Sequence, residues 1–214
     1  MKTFYELQEG LNDPNIFKAF FLAGGPGSGK SFVVGKTTGG TGLKIVNSDD
    51  VFEKYLKDAG FEMDMTTSKA ELQQEPRDKL RDRAKVVTKM KQDNYVDGRL
   101  GLVIDGTGAD YDKIVRQSIG LKQLGYDTHM IYVNTSLDVA LDRNSKRERK
   151  VSTSIATKSW KDVQSNLGKF SQHFRRNMII VDNNDVLEDD GTLFNDVLRQ
   201  IRPLLRRKVT SPSA

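Results

Sequence analysis

Apolar residues gather in five short runs: Ala19-Phe20-Phe21-Leu22-Ala23, Leu43-Lys44-Ile45-Val46, Gly101-Leu102-Val103-Ile104, His129-Met130-Ile131-Tyr132-Val133 and Met178-Ile179-Ile180-Val181. Each is short and nearly continuous, the pattern of a strand buried on both faces rather than one with a wet side. Longer polar and amphipathic stretches separate the runs. That alternation predicts parallel pairing through right-handed crossovers, giving a five-stranded parallel sheet with helices on both faces, the doubly wound α/β class. Ligands of such sheets sit beyond the carboxyl ends of the strands. There the chain places Asn47, Ser48, Asp49 and Asp50 after the second run, and Asp105, Gly106 and Thr107 after the third. Asn134 and Thr135 follow the fourth run, and Asp182, Asn183 and Asn184 follow the fifth.

Between the strands, Pro76 to about Gln92 reads as a helix, with Pro76 in its first turn where a missing N–H costs little. Leu80, Ala84 and Val87 recur at helical spacing as its buried stripe. Arg77, Arg81, Lys85 and Lys89 form a basic row on another face, either a solvated surface or an electropositive wall beside an acceptor. Val51 and Tyr55 mark another helix, for which Asp49 or Asp50 could serve as N-cap. The patch Thr37-Thr38-Gly39-Gly40-Thr41-Gly42 predicts a loop that ends the preceding helix early.

A chain of 214 residues suffices for one α/β domain, expected at 1–208 and followed by a polar tail at 209–214. Arg202, Arg206, Arg207 and Lys208 near its end read as a solvated helix terminus. The sequence has no cysteine, which excludes disulfides and thiolate metal sites. With no secretory-type apolar segment after Met1, a cytoplasmic location is expected. No run approaches the roughly 18 apolar residues of a membrane span, so no membrane partner is expected. The net charge of +5 is compatible with a polyanionic ligand without establishing one. His129 and His173 are the only histidines and are expected to be structural, as is Trp160.

The chemistry begins directly after the first run. Gly24-Gly25-Pro26-Gly27-Ser28-Gly29-Lys30-Ser31 fits G-x-x-x-x-G-K-[ST], the phosphate-binding P-loop, and it follows a predicted strand as that motif requires. Glycines allow positive φ and bring successive N–H groups toward one anion, and the helix starting near Lys30 adds its positive end. Gly25, Pro26, Gly27, Ser28 and Gly29 are thus expected to cradle the phosphates of a nucleoside triphosphate. Lys30 is expected to reach the β- and γ-phosphates, and Ser31 to ligate Mg²⁺. Asp105 ends its strand in Walker-B fashion and is the second expected Mg²⁺ ligand. Asp49, one loop away, is a candidate general base for an acceptor hydroxyl. Arg143, Lys146, Arg147, Arg149 and Lys150 crowd one stretch, which suggests a lid at about 143–156 closing over triphosphate. A GTPase switch would read Asp105-Gly106-Thr107-Gly108 as D-x-x-G, but the chain has no N-K-x-D tetrapeptide. A protein that only binds nucleotide is the other alternative.

Three separated segments, Gly25 to Ser31, Asn47-Ser48-Asp49-Asp50 and Arg143-Asn144-Ser145-Lys146-Arg147, give the chain a family likeness. It resembles P-loop kinases of the polynucleotide 5′-kinase and zeta-toxin group, most of all the kinase domain of bacteriophage polynucleotide kinases. The resemblance implies a three-layer P-loop NTPase fold with an Arg-rich lid. It also implies transfer of the γ-phosphate of ATP to a hydroxyl of a nucleic acid or nucleotide, or of a nucleotide sugar as in zeta toxins. By it, Asp49 falls on the general base, Arg147 on the lid arginine at the transferred phosphate, and Arg143 on an arginine packed against adenine. Phe52 stands where the phage kinases carry an arginine that grips the substrate's 3′-phosphate.

Overall fold

A computed structural model describes residues 16–38, 41–184, 192–207 and 209. Strand β1 (Lys18–Ala23) is buried at every position. Successive side chains of a strand point to opposite faces, and β1 divides accordingly: Ala19, Phe21 and Ala23 enter one core, Phe20 and Leu22 the other. A run with no polar face therefore needs helices on both sides, and it has them.

The remaining strands are β2 (Lys44–Val46), β3 (Leu102–Ile104), β4 (Asp127–Asn134) and β5 (Met178–Asp182). They form one sheet in the order β2-β3-β1-β4-β5, with every pairing parallel. These are the five apolar runs, shifted only at their ends. The helices are α1 (Lys30–Thr38), α2 (Ser48–Asp58), α3 (Ser68–Leu72), α4 (Gln74–Asp97), α5 (Tyr111–Gln123), α6 (Leu137–Ser145), α7 (Thr153–Phe174) and α8 (Thr192–Arg206). One face of the sheet packs on α5 and α7 through Ile114, Leu121, Val163, Phe170 and Phe174. The other packs on α1 and α8 through Val33, Val34, Val197, Ile201 and Leu204. Full burial of one such side chain is worth roughly 1.5–3 kcal/mol, so both faces are needed to hold the sheet.

β1 lies between β3 and β4, the strands on either side of the topological switch, so its carboxyl end opens into the crevice where α/β sheets bind ligands. Below, at the amino end, the buried Lys18 ammonium pairs with Asp127 at 2.9 Å and donates to the Arg207 carbonyl at 2.7 Å. That contact ties β1, β4 and the end of α8 together, away from the site.

The helix expected from Pro76 to Gln92 runs from Gln74 to Asp97, and its basic row does not survive as a row. Arg77 is fully buried, lying on the same stripe as Ala84 one heptad later, and donates to the Glu62 carbonyl at 2.8 Å. Arg81 is half-buried, whereas Lys85 and Lys89 are exposed. Leu80 and Ala84 pack on Phe52 and Leu56 of α2 in a third, smaller cluster. No described helix is long and apolar enough to cross a membrane. The expected tail lies outside the described residues except for Val209, as do Lys208, Gly39 and Gly40.

Candidate active site

The P-loop leaves β1 and turns into α1, and its shape is enforced by contacts from α6, α7 and the segment after β5. Gly27 and Gly29 adopt φ of 79° and 86°, a region that side chains disfavour. A Cβ on Gly27 would strike the Ala140 carbonyl of α6, and one on Gly29 would strike the Asn183 amide. Asn183, buried after β5, donates from its side chain to the Ser28 carbonyl at 2.8 Å. Its own carbonyl accepts from Arg143 at 2.8 Å. Trp160 packs beneath Gly25 and donates its indole N–H to the Thr135 carbonyl at 2.8 Å, so it is a strut of the loop. Gly25, Gly27, Ser28, Gly29, Lys30, Ser31, Arg143 and Arg147 line one cavity of about 260 Å³.

Lys30 folds back in this state, donating to the carbonyls of Gly24 at 2.6 Å and Gly25 at 3.3 Å. Burial pushes its pKa down and Arg147 adds to that, while Asp105 and Asp49 oppose it. Asp105 is shifted the other way: burial raises its pKa, with Asp49 and Asp50 adding, and Lys30 and Arg147 hold it down. Lys30, Asp49, Asp105 and Arg147 therefore share one field, as residues drawn from four separate elements. Asp105 also accepts from the Asn47 amide at 3.1 Å.

The cap of α2 is neither aspartate but Asn47, whose side-chain oxygen accepts from the Asp49 N–H at 2.8 Å. A short amide can do this as well as a carboxylate, and it leaves both carboxylates for other partners. Asp110, not Asp105, caps α5, accepting from the Lys113 N–H at 2.9 Å.

The basic crowd divides between two directions. Arg143 belongs to the last turn of α6 and, with Arg147, faces the P-loop; residues 146–152 form the connection to α7. Arg149 points instead to α2, donating to Asp49 at 3.1 Å and Glu53 at 3.0 Å. Arg81 of α4 approaches the same Asp49 oxygen at 3.7 Å. Both guanidinium groups lie over the ring of Phe52, Arg81 at 4.4 Å and Arg149 at 5.4 Å from its centre. Lys150 accepts through its carbonyl from the Met65 N–H at 3.1 Å, so the connection is docked on the 61–65 segment. Lys146 pairs with Asp142 at the surface.

A family model described as Zeta toxin matches residues 8–191. The chain belongs to the zeta toxin family. No curated protein matches it by sequence. Among solved structures it is similar in fold to a gluconokinase from Sinorhizobium meliloti 1021, with 13% identity, a TM-score of 0.51, and 91% of this chain and 95% of that one covered. A deoxyadenosine kinase from M. mycoides with bound dATP aligns at 16% identity and a TM-score of 0.51, covering 86% of this chain and 98% of that one. At such identities the likeness is one of fold, the α/β fold of P-loop kinases.

In this zeta toxin family member, Arg81 and Asn183, which pattern reading named only within a basic row and a polar strand end, reach Asp49 and the P-loop. Arg81 sat in a basic row with no indication of which member would turn toward Asp49. Asn183 was visible as a polar strand end, but its grip on the P-loop depends on β5 reaching the same rim. No described group of three His, Asp or Glu side chains forms a ready metal cluster. Mg²⁺ bound with phosphates requires no such cluster, because it keeps waters and leans on one or two protein oxygens. The exposed Ser31 hydroxyl at the P-loop and the half-buried Asp105 carboxylate fit that need.

Proposed function

We propose that the chain is an ATP-dependent kinase that transfers the γ-phosphate to a hydroxyl of a nucleic-acid or nucleotide-type acceptor. The observation that carries this reading is the arrangement around the P-loop: Lys30 and Arg147 line its cavity, and Asn47 links Asp105 after β3 to the start of α2 that carries Asp49. Phosphoryl transfer is catalysed mainly by positioning and by charge placed where charge develops. Backbone N–H groups from Gly25 to Ser31 would hold the β- and γ-phosphates, and Arg143 would lie beside the base. Lys30 would exchange the Gly24 and Gly25 carbonyls for phosphate oxygens. Mg²⁺, held by Ser31 and Asp105, would supply charge neutralisation when bound. Asp49 would take the proton of the acceptor hydroxyl, and Arg147 would follow charge onto the transferred group.

Two acceptors follow from the likeness stated above. A 5′-hydroxyl end is the acceptor of the phage polynucleotide kinases. A nucleotide sugar is the acceptor implied by zeta toxins, and the match over residues 8–191 favours it. Phe52, which replaces the phage kinases' 3′-phosphate arginine, is buried and serves as a platform for Arg81 and Arg149. That too favours a small acceptor over a polynucleotide.

The test is incubation with γ-labelled ATP and a panel of 5′-hydroxyl DNA, 5′-hydroxyl RNA, nucleosides, nucleotides and nucleotide sugars. Label should appear on one class, and Lys30→Ala or Asp49→Ala should lower transfer by about 10²–10³-fold or more. Asp49→Ala should still bind ATP. Wild-type transfer by that variant would remove Asp49 as base, and ATP binding with no labelled product would favour the binding-only alternative.

A further inference from the structure

A second cavity, of about 320 Å³, opens between α4 and α5 beyond the ends of β2 and β3, and Asp105 forms part of its wall. None of the P-loop residues from Gly25 to Ser31 lines it. Lys85 and Lys89 enter from α4, one turn apart, and Lys113 enters from α5 on the other side. Lys85 and Lys89 pair with Asp82 and Asp93 only at the surface, where such pairs are weak and readily exchanged. Of the carboxylates lining the cavity, Asp110 is engaged as the cap of α5 and Asp105 belongs to the donor site. Between the two α4 lysines, Thr88 also lines the cavity; it is 8% exposed, and its hydroxyl has no hydrogen-bond partner among the described residues. Buried hydroxyls normally find a partner, so Thr88 is a polar group waiting for one. Val46, Ile104 and Ile114 supply apolar wall.

We propose that this cavity is an anion subsite for the acceptor, holding the phosphomonoester of a small, ring-bearing alcohol. Lys85, Lys89 and Lys113 match its charge, Thr88 offers a hydroxyl, and the apolar wall covers one ring face. The volume lies at the small end of the range for ligand sites, which suits the sugar-phosphate part of a nucleotide-type acceptor. The word acceptor rests on the kinase reading; the anion subsite itself does not.

Phosphate also favours a P-loop, so the P-loop is first filled with a non-hydrolysable ATP analogue. The full chain is then titrated calorimetrically with ribose 5-phosphate and with ribose. Ribose 5-phosphate should bind at least about tenfold more tightly than ribose, and Lys89→Glu and Lys113→Glu should each weaken it by roughly tenfold or more. Thr88→Val should weaken it severalfold, and none of the three should alter affinity for the analogue. No binding of ribose 5-phosphate, equal binding of ribose, or unchanged affinity in both lysine variants would overturn the subsite. Lysine-dependent binding without transfer from ATP to any alcohol would keep the subsite and remove the kinase. Transfer to phosphorylated and neutral alcohols with equal kcat/KM, unaffected by Lys89→Glu and Lys113→Glu, would do the reverse.

Discussion

His129 shows at the residue scale how burial governs a titration. It is fully buried in β4, stacked on Phe20 at 4.9 Å, with neither ring nitrogen hydrogen-bonded to any described residue. Burial pushes its pKa down to about 4, and the neighbouring Lys18 ammonium adds to the shift. An unfolded histidine titrates near 6.5, so between those values the unfolded chain binds a proton that the native state refuses. The contribution to stability is complete above pH 6.5 and falls as pH drops toward 4, by roughly 3 kcal/mol in all. Urea titrations at pH 7.5 and 5.0 should show His129→Phe, which keeps the stack, losing about 2 kcal/mol less than wild type over that interval. Equal losses would mean that His129 is not the responsible group. Reading the two histidines as structural was possible from their separation in the chain, but the absence of partners for His129 was not. That depends on which strands flank β4.

At the scale of elements, the connection between α6 and α7 reaches both the P-loop and α2. Arg147 and Arg149 are two residues apart yet face the P-loop and α2 respectively. Arg149 is 11% exposed and bridges Asp49 and Glu53, so removing it leaves two carboxylates of α2 without their shared cation. Arg149→Ala should lower kcat by tenfold to a hundredfold, roughly the worth of a charge-assisted pair, with little change in ATP affinity. Arg149→Lys should recover only part, because an ammonium cannot serve both carboxylates through a planar fork. If Arg149→Ala instead lost ATP binding and kept kcat, the connection would belong to the donor side alone. The density of arginines was legible in the sequence and their division was not. Charge runs report composition, whereas the direction of each side chain is set by where α6 ends and what α2 presents. Arg77 makes the same point, since its spacing to Ala84 placed it on the buried stripe while its charge argued for the surface.

For the whole molecule, the parallel five-stranded class follows from the apolar runs and the rule of right-handed crossovers, but the order β2-β3-β1-β4-β5 does not: β1, β3 and β4 are buried in the middle of the sheet, while the edge strands β2 and β5 leave Ile45 and Ile180 exposed. The P-loop was legible for a related reason: its glycines have no substitute where Ala140 and Asn183 approach the backbone. What pattern could not supply is the coupling between α8 and the site. α8 packs on α1, which carries Lys30 and Ser31, so the P-loop helix is held between the sheet and the last helix. A ligand bound only by the native P-loop stabilises the fold by RT ln(1 + [L]/Kd), about 2.7 kcal/mol at a hundred times Kd. In a chain of this size that corresponds to a rise in Tm of roughly 5–10 °C. Wild type should show it with a non-hydrolysable ATP analogue and Mg²⁺, Asp49→Ala should show it in full, and Lys30→Ala should lose most of it. An equal rise in Lys30→Ala would place the nucleotide elsewhere than the P-loop. Loss of the rise in Asp49→Ala would make that carboxylate part of nucleotide binding and not of proton removal.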